Sequence, residues 1–436
     1  MKPQYRILWI TVTAMALLLG VSGCKEKGGK AEVKPDAAAT AKLEAITQAG
    51  QPVTLAELNA SYPEPPTGEN AAPLYAEAFR ALAVEDAKSR SFLPKNQRAL
   101  SLLHTAAAKS QCRYPVDLNQ GPAAELPHLA KIKACAQLLG QEAAAQAGKG
   151  RADLAAQSVM DGLRLSRSLE QEPVLISQLV RIASEAIALS SLEGALSLRP
   201  LTEQQLGQLQ TALREEERTL ETLLPRVFAA QRCDAIHFFQ MSPQDYAKLS
   251  AEMGTNCPLG GSVEFERYRR GAAFNADFNL CLDYYSNWLA VASAPFPACL
   301  DAAGQWAPEA AAHISEAKDL GYRISAMMLP ELNKTMERTA DCLALQRAAQ
   351  AALAVERYRV GGKSSLPDSL VQLVPKYLPA VPADPYDGKP LRYKKLSPKG
   401  YVVYSLGRNR QDDGGTPRPA GGQADGPYDV TFAVRR

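Results

Sequence analysis

The chain has 436 residues, of which 49 are basic and 46 acidic, and its formal net charge is +3. A charge this close to neutral creates no overall field toward polyanions, so the composition excludes nucleic acid as an expected partner. The length is sufficient for a large core in two or three domains, and 46% apolar residues, with long Ala-rich and Leu-rich segments, predict a mainly α-helical globular protein.

The first 24 residues have the pattern of a targeting segment rather than of a folded element. Lys2 and Arg6 precede an apolar run at 7–19, and the quartet Val-Ser-Gly-Cys closes it at 21–24. This quartet resembles the lipobox of bacterial lipoproteins, which implies a signal peptide over residues 1–23 and lipidation of Cys24. The alternative is an ordinary secretory signal followed by an unrelated cysteine.

The residues after Cys24 bear on where the protein is held. By the same resemblance, Lys25 in the second mature position implies the outer membrane, because an Asp there usually signals retention in the inner membrane. Acyl chains on Cys24 would anchor the chain firmly, since each buried methylene contributes about 0.8 kcal/mol. Residues 24–38 are rich in Lys, Gly and Ala without an apolar period, which predicts a disordered tether. We therefore expect an extracytoplasmic protein attached to a membrane through Cys24.

Seven further cysteines leave the disulfide pattern open. Outside the cytoplasm they could form up to three disulfides and leave one thiol. Three of them lie on apolar helical faces, where buried free thiols explain them equally well. No pair has the Cys-x-x-Cys spacing of a zinc site, which disfavours metal binding. The seven are Cys112, Cys135, Cys233, Cys257, Cys281, Cys299 and Cys342.

Helical periodicity dominates residues 39–330, which we predict to form an α-helical body. The segment 174–196 is its most apolar helix, but Arg181 and Glu185 would each cost a few kcal/mol in hydrocarbon, so we predict a central core helix rather than a membrane span. A short break at 148–150 predicts an antiparallel helix pair. The predicted helices are 39–49, 70–87, 96–110, two around 129–139 and 154–166, 174–196, 203–239 with a kink at Pro225, a short one from Ser242, 263–292 and 309–320, with a loop over 295–308.

Seven aromatic residues mark the helix predicted over 263–292. Such a stripe could line a groove, and this supplies an alternative function, an extracytoplasmic hydrolase or ligand-binding protein with a pocket in the helical body. Packing against the core helix is the plainer explanation, and we favour it. The aromatic residues are Phe265, Tyr268, Phe274, Phe278, Tyr284, Tyr285 and Trp288.

Residues 331–436 combine a bridging helix at 331–360 with the signals of a small α+β domain. A short helix is predicted at 366–377, a hairpin at 391–395 and 401–406, and a last strand at 430–434, so that one helix packs on an antiparallel sheet. Between these elements lie Asp-Pro-Tyr-Asp-Gly at 384–388, Tyr-Ser-Leu-Gly at 404–407 and an acidic, glycine-rich loop. This order, over about residues 335–436, resembles the C-terminal domain of the major pseudopilin of type II secretion.

The pseudopilin resemblance implies a calcium ion in the loop after Ser-Leu-Gly. Carried over position by position, it assigns as ligands the carbonyl of Leu406, the side chain of Asn409 where an Asp is usual, and Asp429. The neighbours Asp412, Asp413 and Asp425 are alternatives, and a solvated acidic turn without metal is the competing interpretation. An amide in place of a carboxylate lowers the ligand charge and hence the affinity.

Two features of the sequence bear on function. The long apolar N-terminal helix through which pseudopilins polymerise is replaced by the lipobox and the helical body, so assembly as a pilus subunit is not supported. No Gly-x-Ser-x-Gly or His-Glu-x-x-His pattern occurs, and His104, His128, His237 and His313 are scattered. We therefore predict a non-enzymatic envelope lipoprotein, a structural or protein-binding module linked by its C-terminal resemblance to type II secretion. Its expected partners are envelope or secretion-system proteins.

Overall fold

The computed structural model describes residues 34–83, 92–253, 261–363, 365–419, 421–423 and 425–436. Cys24, Cys257, the signal peptide and most of the predicted tether lie outside these residues. Within them the chain forms sixteen α-helices and, near its C-terminal end, a three-stranded antiparallel sheet. The predicted fold class is therefore confirmed at the level of a mainly helical protein with a small C-terminal sheet.

The first half of the helical body is built around a layer of three packed helices. The pair α6 and α7 is joined by a tight turn at Lys149–Arg151, as the break at 148–150 predicted, and α8 packs against both. Gly162 lets α7 approach Ala188 of α8 closely, because a Cβ at Gly162 would lie only 3.2 Å from that methyl group. The helices are α1 (Ala37–Gln48), α2 (Leu55–Ala60), α3 (Ala72–Ala81), α4 (Phe92–Lys95), α5 (Gln97–Ala107), α6 (Leu129–Gly148), α7 (Ala152–Arg167) and α8 (Leu175–Leu198).

The second half continues with eight more helices, of which the last is the longest. The predicted bridging helix corresponds to α16, and its core positions are largely alanines. The helices are α9 (Glu203–Glu221), α10 (Leu223–Gln240), α11 (Pro243–Met253), α12 (Ser262–Arg269), α13 (Ala273–Ala292), α14 (Ala298–Asp319), α15 (Arg323–Met328) and α16 (Asn333–Tyr358).

Three predicted boundaries in this half are wrong. The segment 203–239 breaks at Thr222 rather than kinking at Pro225, because Pro225 lies in the first turn of α10, where its missing N–H is tolerated. The segment 263–292 is two helices, separated around Gly271. The predicted loop 295–308 is largely helical, since α14 runs through Pro308.

Two further predicted helices are shorter than expected. Helix α3 ends at Ala81 instead of residue 87, because Leu82 is extended and the N–H of Ala83 donates to the side chain of the buried Asn96 at 2.8 Å. The helix predicted at 366–377 is reduced to a single 3-10 turn, Leu370–Leu373. At Ala83 the Asn96 side chain replaces the helical hydrogen-bond partner, and at the 3-10 turn Leu370 and Leu373 are buried in the core shared with α16.

The sheet consists of β1 (Arg392–Lys395), β2 (Tyr401–Ser405) and β3 (Val430–Val434), in that order. Val403 pairs with Phe432, and the residues on this face are buried against α16. The hydroxyl of Tyr401 donates to the Ala352 carbonyl of α16 at 3.0 Å. Alanines on α16 allow this close approach, so one helix packs on an antiparallel sheet as predicted.

The sheet and the helical body share one apolar core. Leu192 and Leu196 of α8 belong to the same buried cluster as Phe432. The backbone N–H of Ala433 donates to Oε1 of Glu193 at 2.7 Å, and the Arg436 Nε donates to the Leu196 carbonyl at 2.6 Å. The outer edge of β3 is therefore occupied by α8.

Candidate functional site

The predicted calcium ligands lie together where β2 ends and β3 begins. Because Ser405 pairs with Val430, Leu406 lies opposite Asp429 across the ladder. Asn409 and Asp429 both contact Asp413: Nδ2 of Asn409 donates to Oδ2 of Asp413 at 2.8 Å, and the backbone N–H of Asp413 donates to Oδ1 of Asp429 at 3.4 Å. The structure thus brings the three predicted residues and Asp413 to one place.

The set of possible calcium ligands at this place differs in one respect from the prediction. The amide nitrogen of Asn409 faces Asp413, while its oxygen accepts from the N–H of Gln411 at 3.0 Å. Oxygen ligands are therefore offered by the carboxylates of Asp413 and Asp429 and by main-chain carbonyls, which is a set that suits a hard cation such as calcium. Within the described ranges, no three His, Cys, Asp or Glu side chains are grouped as a metal site.

Asp429 also holds the acidic loop against the outer face of the sheet. Its Oδ2 accepts from the N–H of Gly415 at 2.7 Å, and a Cβ on Gly415 would lie 3.0 Å from Cγ1 of Val402. The loop thereby buries Val402 and Tyr404, whose hydroxyl donates to Asp412 at 3.1 Å. Burial raises the pKa of Asp429, and the carboxylates of Asp413 and Asp412 raise it further.

Arg408 fastens the same loop to α16. Its Nε and Nη2 donate to Oδ2 of Asp341 at 3.0 and 2.7 Å, and its Nη1 lies 2.7 Å from Glu337. At the same end of β2, the buried Asp384 accepts from the hydroxyl of Ser405 and from the N–H of Leu406, at 2.7 and 2.9 Å. Both carboxylate-rich sites are therefore closed by partners from the chain itself.

A groove open to solvent runs between α6 and α8. Its volume is about 490 Å³, and its floor is narrow because Gly140 lies directly against the Ser191 side chain. The charged residues of α8 are Arg181 and Glu185, which are fully buried, and Glu193, which faces β3. The groove is lined by Gln137, Gly140, Gln141, Ala144, Ala186, Ile187, Ser190 and Ser191.

Helix α8 also has the length and apolar composition that crossing a membrane would require. Arg181 and Glu185 instead face α9 and α16, where Arg181 contacts Glu216 and Glu185 contacts Gln346. This placement agrees with the predicted role of α8 as a core helix. Its solvent side carries uncharged side chains, including Ile176 at 43% and Leu198 at 55% exposure.

The contacts of Arg181 form a polar cluster at the centre of the molecule. Arg181 Nη2 donates to Oε2 of Glu216 at 2.8 Å, and both side chains are buried. A second buried carboxylate, Glu185, accepts from Gln346 and from the thiol of Cys342. Burial raises the pKa of Glu185 to about 7, and the nearby Glu216 carboxylate adds to the rise. One guanidinium therefore lies beside two carboxylates that water does not reach.

His104 joins three helices through two carboxylates. Its Nδ1 lies 2.7 Å from Asp161 on α7, and its Nε2 lies 2.9 Å from Glu142 on α6. Hydrogen bonds to these carboxylates raise the pKa of His104 to about 10. The sequence pattern had shown His104 only as one of four scattered histidines. The signal that could have found the triad is Asp161, an acid within the apolar stripe of α7.

His128 forms a second histidine and carboxylate pair, in the interior. Its Nε2 lies 3.0 Å from Oε2 of the fully buried Glu172, and its ring stacks on Tyr114 with centroids 4.1 Å apart. Ser177, on α8, also donates to Glu172. The His104 triad therefore links three helices, whereas the His128 pair links the start of α6 to the connection between α7 and α8.

The cysteines and the aromatic stripe belong to the core. All six described cysteines have free thiols, and all except the half-buried Cys112 are buried. Of the two alternatives left open by the sequence, these six therefore correspond to free thiols rather than disulfides; Cys257 is not among the described residues. Phe278 stacks on Phe239 at 4.4 Å, and Trp288 packs on Phe228 at 6.3 Å. The stripe is therefore buried in the core as expected, but it packs mainly on α10 rather than on the predicted core helix α8.

In comparisons with known proteins, no family model, curated protein or solved structure matches this chain. The likeness of residues 335–436 to a pseudopilin domain therefore stays a prediction from the sequence.

Proposed function

We propose that the chain is a lipid-anchored, non-enzymatic protein of the bacterial envelope that binds a partner protein through the groove between α6 and α8. The location is supported by the Val-Ser-Gly-Cys quartet at 21–24, with Cys24 as the lipidated residue and the outer membrane favoured by Lys25. Calcium in the loop beside Asp429 would stabilise the C-terminal sheet rather than take part in chemistry.

The observation that carries the binding proposal is the uncharged, solvent-exposed face of α8. Ala183, Ser190 and Gly194 are exposed along this face, and the charged residues of α8 are turned away from the groove. From Ala183 to Gly194 the face extends about 17 Å, at about 1.5 Å per residue. A long exposed face of small, uncharged residues allows another helix to approach closely.

The shape of the groove favours a helix as its occupant. Gly140 and Ala144 on α6 and Ala186 on α8 are small, so a ridge of side chains from another helix can lie between α6 and α8. The lining has no charge to pair with and combines small apolar residues with Gln and Ser side chains, which favours an occupant with an uncharged face. We therefore assign the occupant as an amphipathic helix of a partner protein, with secretion-system components the first partners to test.

The C-terminal sheet is a less suitable contact surface than its resemblance to pseudopilins suggested. Its inner face packs on α16, its outer face lies under the loop at Gly415, and the edge of β3 is occupied by α8. Deleting 361–436 would expose the core at Leu196, so a truncated chain would confuse misfolding with loss of binding. Substitutions in the groove are the sharper test.

The alternative of a hydrolase or ligand-binding protein had rested on an aromatic pocket over 263–292. Phe274, Phe278 and Trp288 are buried in the core, and Tyr268 donates its hydroxyl to Asp277. These residues do not line a pocket that a ligand could enter. We therefore retain the protein-binding proposal.

Site-specific photo-crosslinking in cells tests the groove. A photoreactive residue at the position of Ala183 or Ser190 should give one discrete protein adduct. A photoreactive residue at the position of Val263, which is 65% exposed on α12, should not give this adduct. Ala183→Glu should abolish the adduct formed from Ser190 without changing the melting temperature. An adduct that survives this substitution, or one that contains a second copy of the chain, would overturn the partner proposal.

The anchor is tested separately by mass spectrometry of the mature protein. We expect an N-terminal Cys24 carrying acyl chains, and release of the Cys24→Ser variant from the membrane fraction. An unacylated Cys24, or a product found in the cytosol, would refute the location.

A further inference from the structure

We propose that a second surface of the protein, which we name the basic corner, contacts an anionic lipid surface and thereby fixes the orientation of the tethered body. This inference rests on the proposed lipid-anchored location. The corner comprises Val360, Val371, Lys376, Lys395, Leu396 and Lys399.

Three chain segments meet at the basic corner. The end of α16 contacts the hairpin turn, because Nη1 of Arg359 donates to the Lys399 carbonyl at 3.3 Å. The end of β1 contacts the segment before the 3-10 helix, because Nζ of Lys395 lies 2.7 Å from Oδ1 of Asp368. Tyr377 packs against Gly361 and stacks edge-on with Tyr358 at 6.1 Å. The corner is thus one contiguous part of the surface.

The charge of the corner follows from an unusual run of sequence. Residues 388–410 contain seven Lys or Arg and no Asp or Glu. Two of these cations are neutralised within the fold, Arg392 by Asp384 and Asp387 and Arg408 by Asp341 and Glu337. Arg410 forms a surface pair with Asp301.

The lysines of the corner are directed to solvent instead. Lys376, Lys395 and Lys399 are exposed, and Asp368, the acid that contacts Lys395, is itself 83% exposed on the surface. An ion pair between side chains this exposed is worth at most about 1 kcal/mol, so it leaves Lys395 free to meet another anion. The corner keeps a net positive charge.

Apolar side chains are exposed among these lysines. Val371 is 69% exposed, Leu396 48% and Val360 45%. They lie on a 3-10 turn, a hairpin turn and a helix end, so they protrude individually rather than line a groove. Protruding apolar residues surrounded by lysines suit insertion among lipid headgroups, whereas an acidic peptide would require a concave surface.

The expected membrane affinity of the corner is weak, which suits a role in orienting the protein rather than in anchoring it. Each lysine near an anionic membrane contributes about 1 kcal/mol, so three lysines alone bind weakly. The anchor at Cys24 would supply a high effective concentration of membrane, which makes a weak contact sufficient to select one orientation. The groove between α6 and α8 would then be presented in a fixed direction to its partner.

Vesicle co-sedimentation tests the corner independently of acylation. The probe is the chain from residue 24 onward carrying Cys24→Ser, mixed with vesicles of phosphatidylglycerol and phosphatidylethanolamine or of phosphatidylcholine. We expect binding to the anionic vesicles only, weakened by salt. The double variants Lys395→Glu/Lys399→Glu and Val371→Ser/Leu396→Ser should each lower the bound fraction at least fivefold at low lipid concentration.

A matched control separates the corner from general exposure of apolar side chains. Val263→Ser/Leu320→Ser removes two residues that are 65% and 52% exposed elsewhere, and it should bind like the parent. Equal binding of all variants, no binding to anionic vesicles, or binding of polyglutamate with no binding to vesicles would overturn the proposal. Because the probe lacks the acylated cysteine, a failed lipidation assay would not affect this result.

Discussion

Arg181 on α8 and Glu216 on α9 form an ion pair in the interior of the molecule, with Nη2 and Oε2 2.8 Å apart and side-chain exposures of 0% and 3%. A second buried carboxylate, Glu185, lies one helical turn from Arg181 on α8. The packing of α8, α9 and α16 therefore depends on these charges being paired within the protein, because water does not reach them.

Removing Arg181 should be among the most destabilising single changes in the chain. Arg181→Met leaves Glu216 buried and unpaired, a situation that costs about 3–5 kcal/mol. The double variant Arg181→Met/Glu216→Leu should recover most of the loss, because neither charge remains. Urea denaturation followed by circular dichroism measures both.

The exposed pair Lys248 and Asp245 provides the comparison. These side chains are 75% and 59% exposed at 3.3 Å, so Lys248→Met should change the free energy of unfolding by less than about 1 kcal/mol. A similar cost for Lys248→Met and Arg181→Met would refute the argument from burial.

Glu185 should make the protein less stable as the pH rises. Burial raises its folded pKa to about 7, against an ordinary value of 4.5, so the folded state binds more protons than the unfolded state between these two values. Stability contributed by the neutral carboxyl is present below pH 4.5 and is lost as the pH rises through 7.

The substitution Glu185→Gln should flatten this slope and raise the melting temperature at pH 8 more than at pH 5. Glu77→Gln, at an exposed position on α3, should keep the slope of the parent. Parallel melting curves for the parent and Glu185→Gln across this pH range would contradict the assignment.

His104 should remain protonated at neutral pH. Its hydrogen bonds to Asp161 and Glu142 raise its pKa to about 10, so its stabilising effect is present below pH 6.5 and is lost as the pH approaches 10. In a proton NMR titration its ring signals should stay constant from pH 5 to 8. His237, whose pKa is lowered by burial, should titrate below pH 6.5. Asp161→Asn should move the His104 midpoint down, and a parent midpoint near 6.5 would end this interpretation.

The buried Arg181 cluster and the His104 triad could not be predicted from the sequence. The bridging helix, the hairpin and the core role of α8 follow from local periodicity and turn residues, which one sequence displays directly. His104, by contrast, meets residues 38 and 57 positions later, and a separation of that size is set by helix packing.

The misplaced boundaries have a similar cause. Pro308 predicted the end of a loop, yet α14 passes through it because Cys299, Leu300 and Ala303 are buried in the core on the same helix. Tertiary burial outweighs the local cost of one proline. The predicted calcium residues did converge, because their positions follow from the register of β2 and β3, whereas the rotation of the Asn409 amide toward Asp413 depends on the loop as a whole.

Two adjacent glycines should respond differently to alanine because only one faces the sheet. Gly414 and Gly415 have φ values of +69° and +78°, so alanine strains the backbone at both. At Gly414 a Cβ would meet nothing within 4 Å, whereas at Gly415 it would lie 3.0 Å from Val402. Gly415→Ala should therefore lower the melting temperature clearly more than Gly414→Ala, and equal effects would contradict the packing of the loop on the sheet.

Calcium should bind at the acidic loop weakly and through Asp413. The carboxylates of Asp413 and Asp429 repel each other, as the raised pKa of Asp429 reflects after the larger effect of burial, and a cation between them would relieve this repulsion. Two carboxylates and main-chain carbonyls suit a Kd on the order of 0.1–1 mM. Asp413→Asn should weaken binding at least tenfold in a calorimetric titration without lowering the calcium-free melting temperature, while Asp368→Asn, at a site 83% exposed, should bind like the parent. If titration of the parent with millimolar calcium gives no heat of binding, the calcium prediction is wrong. The loop is then a metal-free turn held by Asp429, Asn409 and Arg408.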